Sequence, residues 1–260
     1  MKISILNDNV AGRRCRAEHG LSYLIEADRR VLFDTGSSDL IAWNAQVMGI
    51  DLPKIETIVL SHGHDDHTGG LMLFQGQHLI CHPDTFLKRT RKSNHTNLGI
   101  KWSEEEIRNR FDLSPSREPV RLSEQLFFLG EIPRLTDFES RKTAFAKEDG
   151  TDDFIMDDSG LAIITPKGLV VVSGCAHSGI CNLTAQAIKV TGMEKVHMVI
   201  GGFHLQNDDP ITRKTIEWLQ SNNVEQVIPS HCTGFEAQAA IYRSFHFSPL
   251  KSGNVIQIID

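Results

Sequence analysis

Residues 61–70, SHGHDDHTGG, directly follow an apolar run with the composition of a buried strand. The stretch carries several side chains that bind divalent metals: His62, His64, Asp65, Asp66 and His67. Neutral imidazole nitrogens and carboxylate oxygens suit zinc at bond lengths of roughly 2.0 to 2.2 Å. A polar loop with surface histidines is the alternative. The pattern HxHxDH directly after a strand favours a metal-binding loop instead.

The spacing within this loop divides its side chains between two positions. His62 and His64 are two residues apart, so on an extended loop they project to the same side and can hold one ion. Asp66 and His67 continue to a second position, as two ions roughly 3.5 to 4 Å apart would require. The sequence therefore predicts two divalent ions, with zinc favoured and manganese or iron as alternatives.

Three histidines in the second half of the chain come at the ends of predicted strands. They are His177 in SGCAHSG, His204 in GGFHL and His231 in PSHCTG. Strand ends of a layered sheet protein can converge, so these histidines are candidates for the same centre. Cys175 and Cys232 lie beside two of them, and we interpret both as buried cysteines that pack as small hydrophobes.

The HxHxDH loop resembles the signature of the metallo-β-lactamase fold superfamily. This resemblance implies an α/β fold, a four-layer αββα sandwich with the site at one edge of its two sheets. It also implies that His177 completes the first ligand set and that His231 completes the second. Asp34 in LFDTG matches an upstream aspartate that orients the metal loop, although a turn residue after a strand is the alternative.

His204 departs from the superfamily pattern, since many relatives place a metal-bridging aspartate near this point and GGFHL contains no carboxylate. Three alternatives remain open. His204 takes the place of the aspartate, it acts as an acid, base or substrate-binding group nearby, or the second metal is weakly held. Asp34, Asp66 and His204 together form the predicted catalytic group.

Further segments resemble one branch of the superfamily, among them LNDN, EHGLSYLIE, LGEIPR and DDFIMDD. This branch includes proteins named as the enzyme that joins a dihydropterin to ribofuranosylaminobenzene 5′-phosphate. Matching segments supply the predicted substrate-binding residues: Asn9, Glu18, His19, Glu131 and Arg134. The basic cluster Lys88, Arg89, Arg91 and Lys92 either binds a phosphate or forms a solvated helix face.

Alternating strand and helix patterns predict one domain over residues 1–260, with a charged surface insertion at about 86–118. Periodicity predicts helices over six ranges: 39–48, 83–92, 103–111, 180–191, 210–222 and 235–245. The chain is 40% hydrophobic and 23% charged, which is typical of a globular protein.

The net charge of −6 disfavours a nucleic-acid partner. No apolar run is long enough to span a bilayer, so we expect no membrane association. Five scattered cysteines without a CxxC pair, and no signal peptide, indicate a reducing cytoplasmic compartment.

Three functions fit these residues. The first is a metal-dependent hydrolase that uses a metal-activated water on a small substrate, either with or without a phosphate group. The second is a transferase of the pterin type, in which the metals organise an anionic substrate and its leaving group. The third is a metal-bearing module that binds a small ligand without useful turnover.

Overall fold

Sixteen strands and six α-helices make up the regular structure of the computed structural model, which describes residues 1–259. The strands are β1 (Lys2–Asn7), β2 (Ser22–Glu26), β3 (Arg30–Phe33), β4 (Thr57–Val59), β5 (His78–Cys81), β6 (Arg89–Arg91), β7 (Asp112–Pro115), β8 (Val120–Arg121), β9 (Leu126–Phe128), β10 (Phe145–Lys147), β11 (Asp152–Asp153), β12 (Gly160–Thr165), β13 (Gly168–Ser173), β14 (Val196–Gly202), β15 (Gln226–Ser230) and β16 (Val255–Gln257). The helices are α1 (Leu40–Val47), α2 (Asp65–Thr68), α3 (Glu104–Arg110), α4 (Ile180–Thr191), α5 (Pro210–Ser221) and α6 (Phe235–Phe245).

Two large sheets form the centre of the fold. The first has seven strands in the order β16-β1-β2-β3-β4-β5-β7, and the second has six in the order β15-β14-β13-β12-β9-β8. A small third sheet has the order β11-β10-β6. Strands β3 and β4 pair in parallel, as do β13, β14 and β15. The segments that follow these five strands carry the predicted metal-binding and catalytic residues.

Three apolar cores separate the layers. The central core joins the inner faces of the two sheets and includes Ile3, Tyr23, Leu161, Val172 and Ile200. A second core packs α4, α5 and α6 against the six-stranded sheet. The third packs α1 and α3 against the seven-stranded sheet. The predicted four-layer αββα sandwich is therefore confirmed. No helix within residues 1–259 is long and apolar enough to cross a membrane.

The predicted insertion at about 86–118 is largely part of the sandwich. Strand β7 pairs in parallel with β5 and forms an edge of the seven-stranded sheet. Ile107 of α3 and Phe111, which directly follows α3, pack in the adjoining core. The segment has a charged composition because its outer faces are solvated, while a few apolar residues fill its inner face. A surface insertion is therefore the wrong description of this stretch.

The helix predicted over residues 83–92 is also wrong. A short 3-10 turn spans Pro83–Phe86, and the chain then runs extended as β6, which pairs antiparallel with β10. Arg89 at the start of β6 is buried, whereas Arg91 at its end is exposed. The backbone pairing with β10 identifies this segment as a strand. The other predicted helices are present with ends shifted by at most two residues.

Arg89 forms a buried ionic group that supports the metal loop. Its Nη1 donates to Asp157 Oδ1 at 2.8 Å, and its Nε lies 3.3 Å from Asp153 Oδ2. The other oxygen of Asp157 accepts a hydrogen bond from the backbone N–H of Gly63 at 2.8 Å. Burial raises the pKa of Asp157, and the Arg89 cation opposes this effect. The loop is thus tied through Asp157 to β6.

We predict that Arg89→Ala lowers the free energy of unfolding by about 3 to 5 kcal/mol, because it leaves Asp157 buried without its counter-ion. Urea denaturation measures the change. The control is Lys88→Ala, which removes an exposed pair with Glu148 at 3.0 Å and leaves the urea midpoint nearly unchanged. Equal midpoints for the two variants would show that the buried pair does not stabilise the fold.

Candidate metal centre

Asp34 positions the metal loop from behind. It follows β3, and its buried carboxylate accepts hydrogen bonds from the backbone N–H of Ser61, from Ser61 Oγ and from His67 Nδ1, each at 2.7 Å. Because Nδ1 of His67 carries the proton in this arrangement, Nε2 keeps its lone pair for a metal. Asp34 therefore holds the loop in place through these hydrogen bonds, and its effect on metal binding stays a prediction.

Ser61 extends this control to the neighbouring histidine. Its hydroxyl hydrogen is directed to Asp34, so Ser61 Oγ accepts from His62 Nδ1 at 2.8 Å. Nε2 of His62 consequently keeps its lone pair and faces His64 Nδ1 at 2.9 Å. One carboxylate thus sets the orientation of two imidazoles.

His62, His64 and His177 form the first ligand group. One ring nitrogen from each lies within 4.8 Å of the others. Burial holds the pKa of all three imidazoles well below the usual range, so each is neutral and has a lone pair to donate. Within the described chain, His177 Nε2 is buried and has no hydrogen-bond partner. A metal ion would satisfy this nitrogen, and the donor set suits zinc.

Asp66, His67 and His231 form the second ligand group. Oδ2 of Asp66 lies 3.7 Å from His67 Nε2 and 3.4 Å from His231 Nε2, and the two nitrogens are 3.2 Å apart. Two ligands of a tetrahedral ion with bonds of about 2.0 to 2.2 Å are separated by roughly 3.3 Å. These three atoms therefore fit one face of the coordination shell of a single ion.

The charges in the second group favour cation binding. Burial opposes ionisation of Asp66, but His67, His19 and His231 outweigh it and hold the pKa of the carboxyl well below its usual range. Burial likewise lowers the pKa of His67, whereas Asp66 and Asp34 raise it to about 9. An ion that binds His67 Nε2 displaces a proton, so its affinity rises with pH until about pH 9.

Asn9 and His19, predicted as substrate-binding residues, reach this centre. Oδ1 of Asn9 accepts from His231 Nδ1 at 3.0 Å, and its Nδ2 lies 3.2 Å from His19 Nδ1. Nδ2 of Asn9 also donates to the backbone oxygen of His231, which fixes the amide orientation. His19 therefore accepts at Nδ1 and donates from Nε2 to Asp66 Oδ2 at 3.1 Å. Asn9 orients both rings, and His19 supports Asp66 at the mouth of the cleft.

The other three predicted substrate residues lie elsewhere. Glu18 accepts from the backbone N–H groups of residues 37 and 38 and fixes the turn before α1. Glu131 pairs with Arg117 at 2.7 Å. Arg134 donates to the backbone oxygens of residues 154 and 155. Their partners are protein groups outside the cleft described next, so the structure does not support a substrate role for them.

A cleft of about 500 Å³ opens over the two ligand groups. Cys175 and Cys232 line it, and Cys175 Sγ lies 3.2 Å from His67 Nε2. Cys175 is buried, as we expected for a packing cysteine, whereas Cys232 is only partly buried. The spacing of Cys175, two residues before His177, was the sequence signal for a shared side. Arg91 and Phe145 also line the cleft and were not predicted individually.

His204 lies on the wall between this cleft and an adjoining chamber of about 380 Å³. Its ring is exposed, and its centroid is 4.3 Å from that of His177. It stands outside both ligand groups defined above. The chamber has aromatic and basic lining residues: Phe138, Arg141, Lys142, Phe145, Phe154 and Phe203. His204 therefore lines both the cleft and the chamber.

We predict that Asp34→Asn lowers metal affinity by about 10- to 100-fold, because an amide cannot accept all the hydrogen bonds that hold Ser61 and His67. Titration with zinc against a competing chelator measures the loss. Asp65→Asn is the matched control, since Asp65 lies on the same loop outside both ligand groups and its removal leaves affinity unchanged. Tight metal binding by Asp34→Asn would contradict the positioning role.

Comparisons with known proteins identify the fold and the family of this chain. The family description "Metallo-beta-lactamase superfamily" matches residues 15–82. A Methanocaldococcus jannaschii protein named 7,8-dihydropterin-6-methyl-4-(beta-D-ribofuranosyl)-aminobenzene-5'-phosphate synthase is 34% identical over 99% of this chain and 96% of its own length. An uncharacterised protein of the same organism is 30% identical over 98% of this chain and 100% of its own.

The crystal structure of Tm1679, described as a metal-dependent hydrolase of the beta-lactamase superfamily, superimposes with a TM-score of 0.89 and 29% identity. The match covers 100% of both chains. The similarity to these proteins therefore extends over the whole chain and includes both sheets. The chain belongs to the metallo-β-lactamase superfamily, in the branch that also contains the M. jannaschii synthase and Tm1679.

Proposed function

We propose that the chain is a dinuclear metal-dependent hydrolase that acts on a small phosphorylated substrate with an aromatic or heterocyclic group. The observation that carries this proposal is the pair of adjacent ligand groups on the floor of one cleft. Two bound divalent ions, zinc by preference, would supply a water of lowered pKa and polarise the oxygen under attack. Side chains of the cleft and of the adjoining chamber would bind the phosphate, pack against the ring and give a proton to the leaving group.

Arg91 is the residue best placed to bind a phosphate. It is exposed, it lines the cleft, and its guanidinium carbon lies 6.0 Å from the centre of the Phe145 ring. Within residues 1–259 it makes no ion pair, whereas Lys88 and Lys92 of the same cluster pair with Glu148 and Asp152. A guanidinium can bind phosphate through two hydrogen bonds. Arg91 would therefore hold the phosphate near the metals.

The adjoining chamber supports the proposed aromatic group. Phe138, Phe154 and Phe203 line it, and Phe145 lines both compartments. A flat ring can pack against these side chains and lose its contact with water. His204 stands at the passage between the compartments, where its imidazole can give a proton to the leaving group. A substrate that spans both compartments would place its scissile bond beside His204.

A pterin-type transferase is the second candidate. The 34% identical relative is named as the synthase of a compound that contains a dihydropterin and a ribofuranosyl aminobenzene 5'-phosphate. Such a reaction needs a phosphate site next to space for an aromatic ring, which the same cleft provides. The distinguishing property is the acceptor of the transferred group, which is water in the hydrolase and a second organic substrate in the transferase.

The hydrolase is tested with zinc- or manganese-loaded protein on matched substrates with and without a phosphate. The panel covers aryl phosphodiesters, lactones and thioesters, together with a dihydropterin and ribofuranosylaminobenzene 5′-phosphate. We predict metal-dependent hydrolysis with a preference for the phosphorylated member of a pair. Arg91→Ala should raise KM for that member by about 10- to 100-fold, because it removes a charge-assisted contact of about 1.5 to 3 kcal/mol.

Lys88→Ala provides the control for Arg91, since it removes a nearby cation that lies outside the metal cleft. Its KM should match that of the unmodified chain. Condensation of the two pterin-pathway substrates without hydrolysis would establish the transferase instead. No turnover of any substrate by protein that holds two ions would contradict both candidates.

For His204 we predict that replacement by alanine leaves metal content intact and lowers turnover by roughly 10²- to 10⁴-fold, the usual contribution of a positioned acid or base. One limb of the pH–rate profile should disappear as well. Metal analysis and turnover are measured on the same preparation. Loss of an ion together with activity would assign His204 as a ligand, and full turnover would exclude it from the reaction.

A further inference from the structure

Cys175 occupies the space between the two ligand groups. Its Sγ forms one cluster of ligand atoms with His62 and His67, one residue from each group. It forms a second cluster with His177 and His204 and a third with His231 and Cys232, in each case with all atoms within 4.8 Å. Within the described chain, Cys175 is the one side chain that belongs to three of these clusters. A single sulfur atom therefore adjoins both expected ion positions.

We infer that Cys175 is a metal ligand and that its thiolate bridges the two ions. This inference rests on the dinuclear centre of the proposed function and adds a ligand to it. Sγ lies 3.2 Å from His67 Nε2, close to the roughly 3.5 Å expected for sulfur and nitrogen on one tetrahedral zinc. His177 Nε2, buried and without a hydrogen-bond partner in residues 1–259, independently indicates an ion on the other side of the sulfur.

Charge balance supports the bridge. The first group supplies three neutral imidazoles, and the second supplies one carboxylate, from Asp66, against two divalent cations. Buried positive charge is costly unless a nearby anion compensates it. As the metal–sulfur bonds form, the thiol releases its proton to the solvent, and the thiolate adds one negative charge between the ions. Cys175 is only 3% exposed, so the thiolate would be well shielded from water.

X-ray absorption at the zinc edge tests the bridge directly on the unmodified, zinc-loaded chain. A bridging thiolate predicts about one sulfur neighbour per zinc at about 2.3 Å. A sulfur bound to one ion only would give about half of that value and would overturn the bridge. Two zinc ions without any sulfur neighbour would overturn ligation by Cys175 but leave the dinuclear hydrolase intact. Fewer than two ions per chain would overturn the dinuclear centre and with it the bridge.

Variants identify which sulfur is bound. Cys232→Ser is the matched control, because Cys232 lines the same cleft, and it should keep the sulfur neighbour. Cys175→Ser should lose that neighbour and weaken metal binding by roughly 10-fold or more, since even residues behind the ligands contribute 10- to 100-fold. In the cobalt-loaded proteins, the sulfur-to-cobalt charge-transfer band should follow the same pattern.

A sulfur neighbour that persists in Cys175→Ser, or that is lost in Cys232→Ser, would contradict the assignment. If Cys175→Ser does not fold, the unmodified chain and Cys232→Ser still decide the outcome.

Discussion

The hydrogen bonds to Asp34 are the constraint on which the metal centre depends. Its carboxylate accepts from Ser61 twice and from His67 once, so it fixes both ends of the metal loop to the end of β3. Through Ser61 it also sets the proton position on His62. All these groups are buried, where unsatisfied polar atoms are costly. The loop therefore has one low-energy arrangement, with its imidazole lone pairs directed into the cleft.

The second sheet meets this loop at a glycine. A Cβ atom at Gly174 would lie 2.1 Å from Ser61 Oγ and 2.9 Å from Asp34 Oδ2, so no larger residue fits between the two sheets at this point. The close approach brings the segment after β13 against the metal loop. Cys175 and His177 consequently reach ligand atoms that are more than a hundred residues away in the chain. The packing of the sheets at Gly174 thus brings His177 into the first ligand group and Cys175 beside His67 of the second.

The sequence predicted the layered fold and the local part of the centre well, because HxHxDH carries its ligands on one loop and needs no tertiary information. The remainder depends on contacts that periodicity does not reveal. Asn9 and His19 were predicted near the substrate, but their hydrogen bonds to His231 and Asp66 exist only once β1 and β15 lie at the same edge. The sequence analysis placed Arg91 in a predicted helix, because a strand as short as β6 does not show a recognisable alternation of apolar and polar residues.

The backbone at the metal centre is also strained, and the packing of the rest of the fold must offset this strain. Four non-glycine residues there have positive φ angles: Asp34 at 57°, Ala176 at 51°, His204 at 51° and His231 at 47°. Each such conformation costs on the order of 1 to 3 kcal/mol and persists only where the surroundings determine it. All four follow ends of parallel strands, where the sheets and their three cores fix the chain. At each of these four positions the backbone turns sharply toward the cleft. The sandwich therefore holds the ligand atoms close to their binding geometry before any ion binds.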